Sequence, residues 1–320
     1  MTGDRMPEPS QAGGSPVSPA MTHPDLAPGA PDELVRHQPR LRGLAYRMLG
    51  DMDDAEEVVQ EAYLRWHRGD RQDVRSPEAW LVTAVSRLAV DRLRRRATER
   101  AAYVGPWLPT PVAVGTLPSP SHATELASDL SVALLLLLER LAPEERAAFV
   151  LRDVFDVGYD EIARILGRSE PAVRQVVHRA RQRVRAERPR FAASREGHAR
   201  LLERFVAALA VEDAAGVVAL LAPDVTFTSD GGGRVAAARR RLDGAERVSR
   251  LLVGIATKGH GRVTYRPTLL NGQPGYLTLL DGRLYAATSV AMEGDRIAAF
   301  YAVLNPDKLR HVTGDAPPMT

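Results

Sequence analysis

The chain has 320 residues, room for two or three compact domains, and its 44% hydrophobic and 26% charged residues fit a globular protein. It has no cysteine, which excludes a disulfide framework, a thiolate metal site and a thiol switch. The formal net charge is only +3, but arginine is clustered along the chain, and clustered arginine points to anionic partners more than the total does.

Residues 1–30 are rich in Pro, Gly and Ser and lack the apolar core of a signal peptide, so they read as a disordered tail. The densest apolar run, "VALLLLLERL", is too short to span a bilayer, so no membrane partner and a cytoplasmic location are expected. In "LRGLAYRMLG" the residues Leu41, Leu44, Ala45, Met48 and Leu49 share one helical face, and Gly50 can end the helix. "DMDDAEEVVQEAYLRW" follows, with Asp51 or Asp53 as N-cap and a stripe of Ala55, Val58, Val59, Ala62, Tyr63 and Trp66. Its carboxylates fall on several faces, so they imply no metal cage; a surface for a basic protein partner fits better.

A polar loop, His67–Arg75, leads into a helix capped by Ser76 with Pro77 at its first position. That helix ends in "DRLRRRATER", where Arg92, Arg94, Arg95 and Arg96 suit nucleic-acid phosphates, a plain solvated face being the alternative. Residues 101–125 hold five prolines and read as an interdomain linker. Helical periodicity resumes over 126–187. Within it, "GYDEIARILGRSEPAVRQVVHRARQRVR" has the form of a helix-turn-helix. Gly167 can close the first helix and Ser169 caps the second. Val173, Val176, Val177, Ala180 and Val184 form its buried stripe. The opposite face carries Arg174, Gln175, His178, Arg179 and Arg181, side chains that can read base edges in a major groove. Arg183, Arg185 and Arg188 continue toward phosphate contacts.

Two short helices, near 198–210 and 214–221, then precede the strand "VTFTS". A third helix spans about 245–257. Four strand-like segments follow, separated by "NGQPG", "DG" and "EGD", so this part is α+β with a mainly antiparallel sheet. "DGGGRV" follows a strand and lacks a Lys-Ser/Thr pair, which argues against a phosphate loop and leaves a turn or a close backbone approach. Asp230, His260, Tyr285 and Tyr301 are candidates for a pocket in this fold, although no paired carboxylates or His–Asp spacing mark an active site.

The order of these elements resembles extracytoplasmic-function sigma factors over Leu34–Arg188. The resemblance implies two all-α sigma domains, a region 2 bundle over 31–100 and a region 4 helix-turn-helix over 126–190, joined by the 101–125 linker. It implies core RNA polymerase and promoter DNA as partners. Asp54, Glu57, Val58, Gln60 and Glu61 would face the polymerase. Arg71, Arg92, Arg94, Arg95 and Arg96 would serve the −10 region, with a flipped base held by the loop His67–Arg75. Arg174, Gln175, His178, Arg179 and Arg181 would read the −35 element. Region 2 of the family often has an asparagine before the aspartate of the last helix, where this chain has Ser86 and Arg87.

"WLPTPV", "DGGGRV" and "NPDKLRH", in that order, are similar to motifs of the SigJ-type subgroup, in which an α+β SnoaL-like roll of the nuclear transport factor 2-like superfamily is fused after region 4. Thr110 stands where the subgroup has glutamate. The resemblance implies a regulatory module over 196–312, followed by a 313–320 tail. That module would dock on the linker and region 2 through Trp107, Leu108, Pro109, Pro111 and Val112 on one side. On the other side would lie Asp230, Gly231, Gly232, Gly233 and Arg234, with Asn305, Pro306, Asp307, Lys308 and Leu309. No cofactor, metal or separate anti-sigma factor is expected. A helix-turn-helix regulator whose SnoaL-like module senses a small-molecule ligand is the competing reading.

Overall fold

The computed structural model describes residues 30–69, 74, 76–99, 102–113, 131–187 and 195–312. The N-terminal tail, Arg71, most of the His67–Arg75 loop, Arg188 and the 313–320 tail therefore lie outside the described residues.

Helices α1 (Ala30–Leu49), α2 (Met52–Arg68) and α3 (Pro77–Glu99) form an antiparallel bundle. Gly50 takes the left-handed conformation, φ +69°, that turns the chain between α1 and α2. The Asp51 carboxylate then caps α2 by accepting from the N–H groups of Asp53 and Asp54. Leu44, Tyr46, Leu49, Met52, Leu81, Val85 and Ala89 are almost wholly buried between the helices. Trp66 and Trp80 meet edge to face, 5.2 Å apart, and tie α2 to α3.

The second helical unit comprises α4 (Val132–Leu138), α5 (Pro143–Phe149, continued by a π turn over Val150–Val154), α6 (Tyr159–Leu166) and α7 (Glu170–Glu187). Gly167 closes α6 at φ 64°, ψ 38°, and α7 opens directly after Ser169. The buried stripe of α7 is the expected one: Val173, Val176, Val177, Ala180 and Val184. The apolar cluster of the α1–α3 bundle runs without a break into this unit, so the two share one core.

The third unit begins with α8 (Arg195–Ala210) and α9 (Ala214–Leu220). Strands β1 (Leu221–Asp230) and β2 (Leu242–Asp243) precede α10 (Ala245–Lys258). Strands β3 (Val263–Leu270), β4 (Gln273–Leu280), β5 (Arg283–Glu293) and β6 (Arg296–Val303) follow, and α11 (Pro306–Leu309) is the last element among the described residues. The sheet order is β2-β1-β6-β5-β4-β3; β1 runs parallel to β6 and every other pair is antiparallel. One sheet face packs on α8–α10 through Phe205, Phe227, Tyr276 and Phe300. The other face is covered by the linker and the unit's own C-terminal turn: Leu108 on one side and Leu309 and Val312 on the other cluster with Leu270, Leu277, Leu284 and Val303. Leu108 is completely buried there, which stabilises the contact by about 2 kcal/mol.

Candidate nucleic-acid interface and interdomain lock

The stretch 102–113, part of the linker on which the third unit is expected to dock, is clamped between the first and third units. Its backbone is bound at two levels. At the lower level, Ala113 bridges to Leu270, and Asn271 and Val112 exchange hydrogen bonds, the Asn271 N–H donating to the Val112 carbonyl at 2.7 Å. The Asn271 amide also donates to the Tyr46 hydroxyl at 2.6 Å, and that hydroxyl donates to the Thr110 carbonyl at 2.6 Å. Thr110 in turn donates its N–H to the Gly50 carbonyl, and its Oγ1 accepts from the first N–H of α2. Threonine at this position thus helps cap α2, a task that needs no charge.

At the upper level lies Asp230, wholly buried at the end of β1. Its carboxylate accepts from the Leu108 N–H at 2.9 Å, the Tyr103 hydroxyl at 2.7 Å, the Gly232 N–H at 3.0 Å and the Lys308 ammonium at 2.7 Å. Lys308 also donates to the Leu108 carbonyl. One linker residue is therefore held at both its N–H and its C=O by an ion pair from the third unit. Burial lowers the Lys308 pKa, and Asp230 opposes that. Burial, then Asp230, raise the Tyr103 pKa, which keeps the phenol a donor.

The glycines of "DGGGRV" make room for this contact, as one of the sequence readings had it. Gly232 sits at φ +60°, and a Cβ there would run into the Asn305 amide, while Gly233 faces Val104. Arg234 reaches Asp307 at 3.3 Å on the surface. Trp107 does not enter this glycine loop. It lies over Gly50, with the Lys308 ammonium 4.3 Å from its ring and the Arg96 guanidinium 6.0 Å away. At the chain's end, Arg310 and His311 grip Asp53 in the first turn of α2.

Of the residues expected to face a polymerase, Glu57 and Gln60 are exposed and Glu61 is half-buried. Asp54 and Val58 are not on that surface: they are 4% and 6% exposed. Asp54 receives Arg92 at 2.6 Å and Arg96 as well, so two of the four arginines assigned to −10 DNA turn back onto α2. Arg94 pairs with Asp91 and Glu144, and Arg95 alone of the cluster is exposed with no partner among the described residues. The cause is geometric: α2 and α3 run antiparallel, and the acidic start of one meets the basic end of the other.

On α7, Gln175, His178 and Arg179 are exposed together. Arg174 is exposed too, pairing with Glu170 and stacking 4.3 Å from the Tyr159 ring. Arg181 departs from the expectation. It binds Asp153 at 2.7 Å, and that carboxylate raises its pKa, so it braces α7 against the π turn. The pocket residues do not converge: Asp230 belongs to the lock, His260 pairs with Glu212 on the surface, and Tyr301 packs toward Leu108. Tyr285 does line a cavity of about 50 Å³ in the third unit, beside Tyr265, Tyr276 and Thr288. Among the described residues no cluster could hold a metal, and no helix is long and apolar enough to cross a membrane.

Sequence reasoning missed Tyr46, Asn271, Glu144 and the buried Arg146, whose guanidinium donates to the Arg47 carbonyl and pairs with Glu139. Tyr46 and Asn271 lie within stretches read only as helix face and turn, and each of the four acts on a partner distant in sequence.

Comparison with known proteins agrees with this arrangement. Residues 34–99 match the model of Sigma-70 region 2, and residues 131–184 match that of Sigma-70, region 4. The ECF RNA polymerase sigma factor SigJ of Mycobacterium tuberculosis is 39% identical over 279 residues, 84% of this chain and 89% of that protein. The crystal structure of SigJ from the same organism superposes with TM-score 0.70 at 34% identity, over 90% of this chain and 99% of that one. RpoE of Bartonella quintana, solved with the anti-sigma factor NepR, is 25% identical, with TM-score 0.38 over 48% of this chain and 93% of its own.

A region 2 bundle, a region 4 helix-turn-helix and a docked α+β unit define an alternative sigma factor, a protein that binds core RNA polymerase and directs transcription from its own promoters. The chain belongs to the extracytoplasmic-function sigma factors and is a homologue of SigJ.

Proposed function

We propose that the third unit governs this sigma factor in cis by fixing the linker and region 2 in one arrangement. The observation that carries this is the grip on Leu108, whose N–H and C=O are both held by the buried Asp230–Lys308 pair. The proposed limits are region 2 over 31–100, region 4 over 126–190 and the regulatory unit over 196–312.

In this arrangement regions 2 and 4 share one core. The −10 and −35 elements lie on the order of 80 Å apart at 3.4 Å per base pair. Two units packed on each other do not reach both, so the docked chain is a closed form that opens on assembly with polymerase. Glu57, Gln60 and Glu61 are the proposed polymerase contacts. Arg174, Gln175, His178 and Arg179 are the proposed −35 readers, and Arg95, with Arg71 in the loop before α3, serves the −10 region. Arg92, Arg94 and Arg96 become available for DNA only if their carboxylate partners let go.

A fused restraint makes a separate anti-sigma factor unnecessary, unlike RpoE, which NepR binds. The chain acts in the cytoplasm, where polymerase is, and we assign it no turnover. The small cavity beside Tyr265, whose buried hydroxyl has no hydrogen-bond partner among the described residues, is too small for a polyketide-sized ligand. Run-off transcription with core polymerase tests the proposal with two truncations, one ending before Arg195 and one before Asn305. Cis control requires their output to differ from each other and from the full chain; equal output from all three overturns it.

A further inference from the structure

Apart from one stretch, the third unit is electrically balanced. Over 195–312 the basic and acidic residues cancel except within 231–250. That stretch holds Arg234, Arg239, Arg240, Arg241, Arg247 and Arg250 against only two acidic residues of its own, Asp243 and Glu246. The centre of the excess is the run Arg239-Arg240-Arg241, in an irregular segment between the glycine loop and β2. All three are exposed. Arg241 spends its charge on Asp243, while Arg239 and Arg240 have no partner among the described residues. Guanidinium groups left free on an irregular loop present donors without a fixed geometry, which suits repeated phosphates better than one shaped protein pocket.

Their position gives the run a substrate. The Cα of Arg239 is 4.0 Å from where a side chain on Gly105 would begin, and Val104 rests on Gly233. The segment carrying Tyr103, Val104 and Gly105 leaves the end of α3, and four residues of extended chain from Glu99 to Tyr103 span at most roughly 14 Å. The exposed Arg95 lies on the last turns of the same helix. Exposed arginines thus stand on the last turns of α3 and on the regulatory unit beside the segment where the linker enters.

We infer that Arg239, Arg240 and Arg241 are a duplex-binding surface for the phosphate backbone of promoter DNA beside the region 2 contact. The third unit then contributes to DNA affinity directly, by charge and without reading sequence. This goes beyond the cis-control reading, and each can fail without the other, because the test keeps the full chain and the intact Asp230–Lys308 lock.

The test uses the chain assembled with core polymerase, and a labelled duplex of roughly 60 base pairs taken from upstream of its own gene, titrated between about 50 and 200 mM salt. The variants are Arg239→Ser/Arg240→Ser/Arg241→Ser, the same three positions changed to Lys, and a charge control, Arg200→Ser/Arg204→Ser on α8. Each phosphate contact contributes about 0.9 to the slope of log affinity against log salt. The serine variant should flatten that slope by about 2 to 3, the lysine variant should keep it, and the control should leave it unchanged. A slope within about one of the parent's for the serine variant overturns the inference. So does an equal flattening by the control, or a loss confined to binding of core polymerase, which would place an acidic protein surface there instead. Should the serine variant fold poorly by its melting curve, Arg240→Glu alone must flatten the slope by at least about 1.

Discussion

Among single residues, burial decides which charges matter. Lys308 and Asp230 show 6% and 0% of their side chains to solvent, whereas Asp53 and Arg310 show 42% and 55%. Lys308→Met should strand a carboxylate that the Leu108 N–H, the Tyr103 hydroxyl and the Gly232 N–H still reach but no cation balances. The expected loss is about 3 kcal/mol of folding stability, measured by urea unfolding. Asp53→Asn should cost less than about 1 kcal/mol in the same measurement, because its pairs are screened by water. The Asp53 contact has a pH signature. Burial alone would raise its pKa, but Arg310 and His311 override that and hold it below the usual carboxylate range. An aspartate lowered on folding adds stability that is complete above its unfolded value and is lost as pH falls through the folded one. The protection of the α11 amides, taken as the ratio of intrinsic to observed exchange rate, should therefore be larger at neutral pH and fall as pH drops below about 4 in the wild type, and stay level over that range in Asp53→Asn.

At the scale of elements, what was legible in the sequence was local. Asp51 as a cap, Gly50 and Gly167 as stops, the valine stripe of α7 and the strand turns all depend on neighbours within a few positions, and the structure keeps them. What misled was charge read without its partner. Arg92 and Arg96 have the look of a phosphate-binding face until α2 is laid against α3 and Asp54, 38 residues before Arg92, takes them up. Arg181 looked equivalent to its neighbours on α7, yet the residue it binds is 28 positions earlier. This separates two mutations that the sequence alone treats alike. Gln175→Ala should leave region 4 as stable as before and relax discrimination at one base of the −35 element by roughly 5- to 150-fold, read by run-off transcription on base-substituted templates. Arg181→Ala should do the reverse, lowering the melting point of the chain by a few degrees, equivalent to about 1 kcal/mol, with the base preference unchanged.

For the whole molecule, the motifs named the faces that meet but not the contacts that close them. Asn271 and Tyr46, 225 positions apart, complete the linker clamp, and nothing in either segment announces the other. The same holds where region 2 meets region 4. Arg87 of α3 donates to the carbonyls of Arg164 and Ile165 at the end of α6, and Glu144 of α5 accepts from Arg94 of α3 and from Arg168 in the turn before α7. Glu144 is three-quarters buried. Burial would raise its pKa, but the two arginines hold it low, so the carboxylate is charged wherever the cell works. Because its arginines are about half exposed, the bridge is worth only about 1 kcal/mol, a small part of the shared core. That modest size makes it a useful probe, since removing it should shift the closed form without unfolding the chain. In Glu144→Ala the open fraction should rise by roughly 5-fold, as 1.4 kcal/mol is a factor of ten. The chain has no cysteine, so labels on Leu64→Cys and Gln182→Cys report the separation of α2 from α7 without background. A longer-distance population that grows in Glu144→Ala, with a matching rise in transcription at limiting core polymerase, is the expected result. An unchanged distance distribution would mean that the apolar core alone holds the two regions together, and that opening is driven entirely by polymerase.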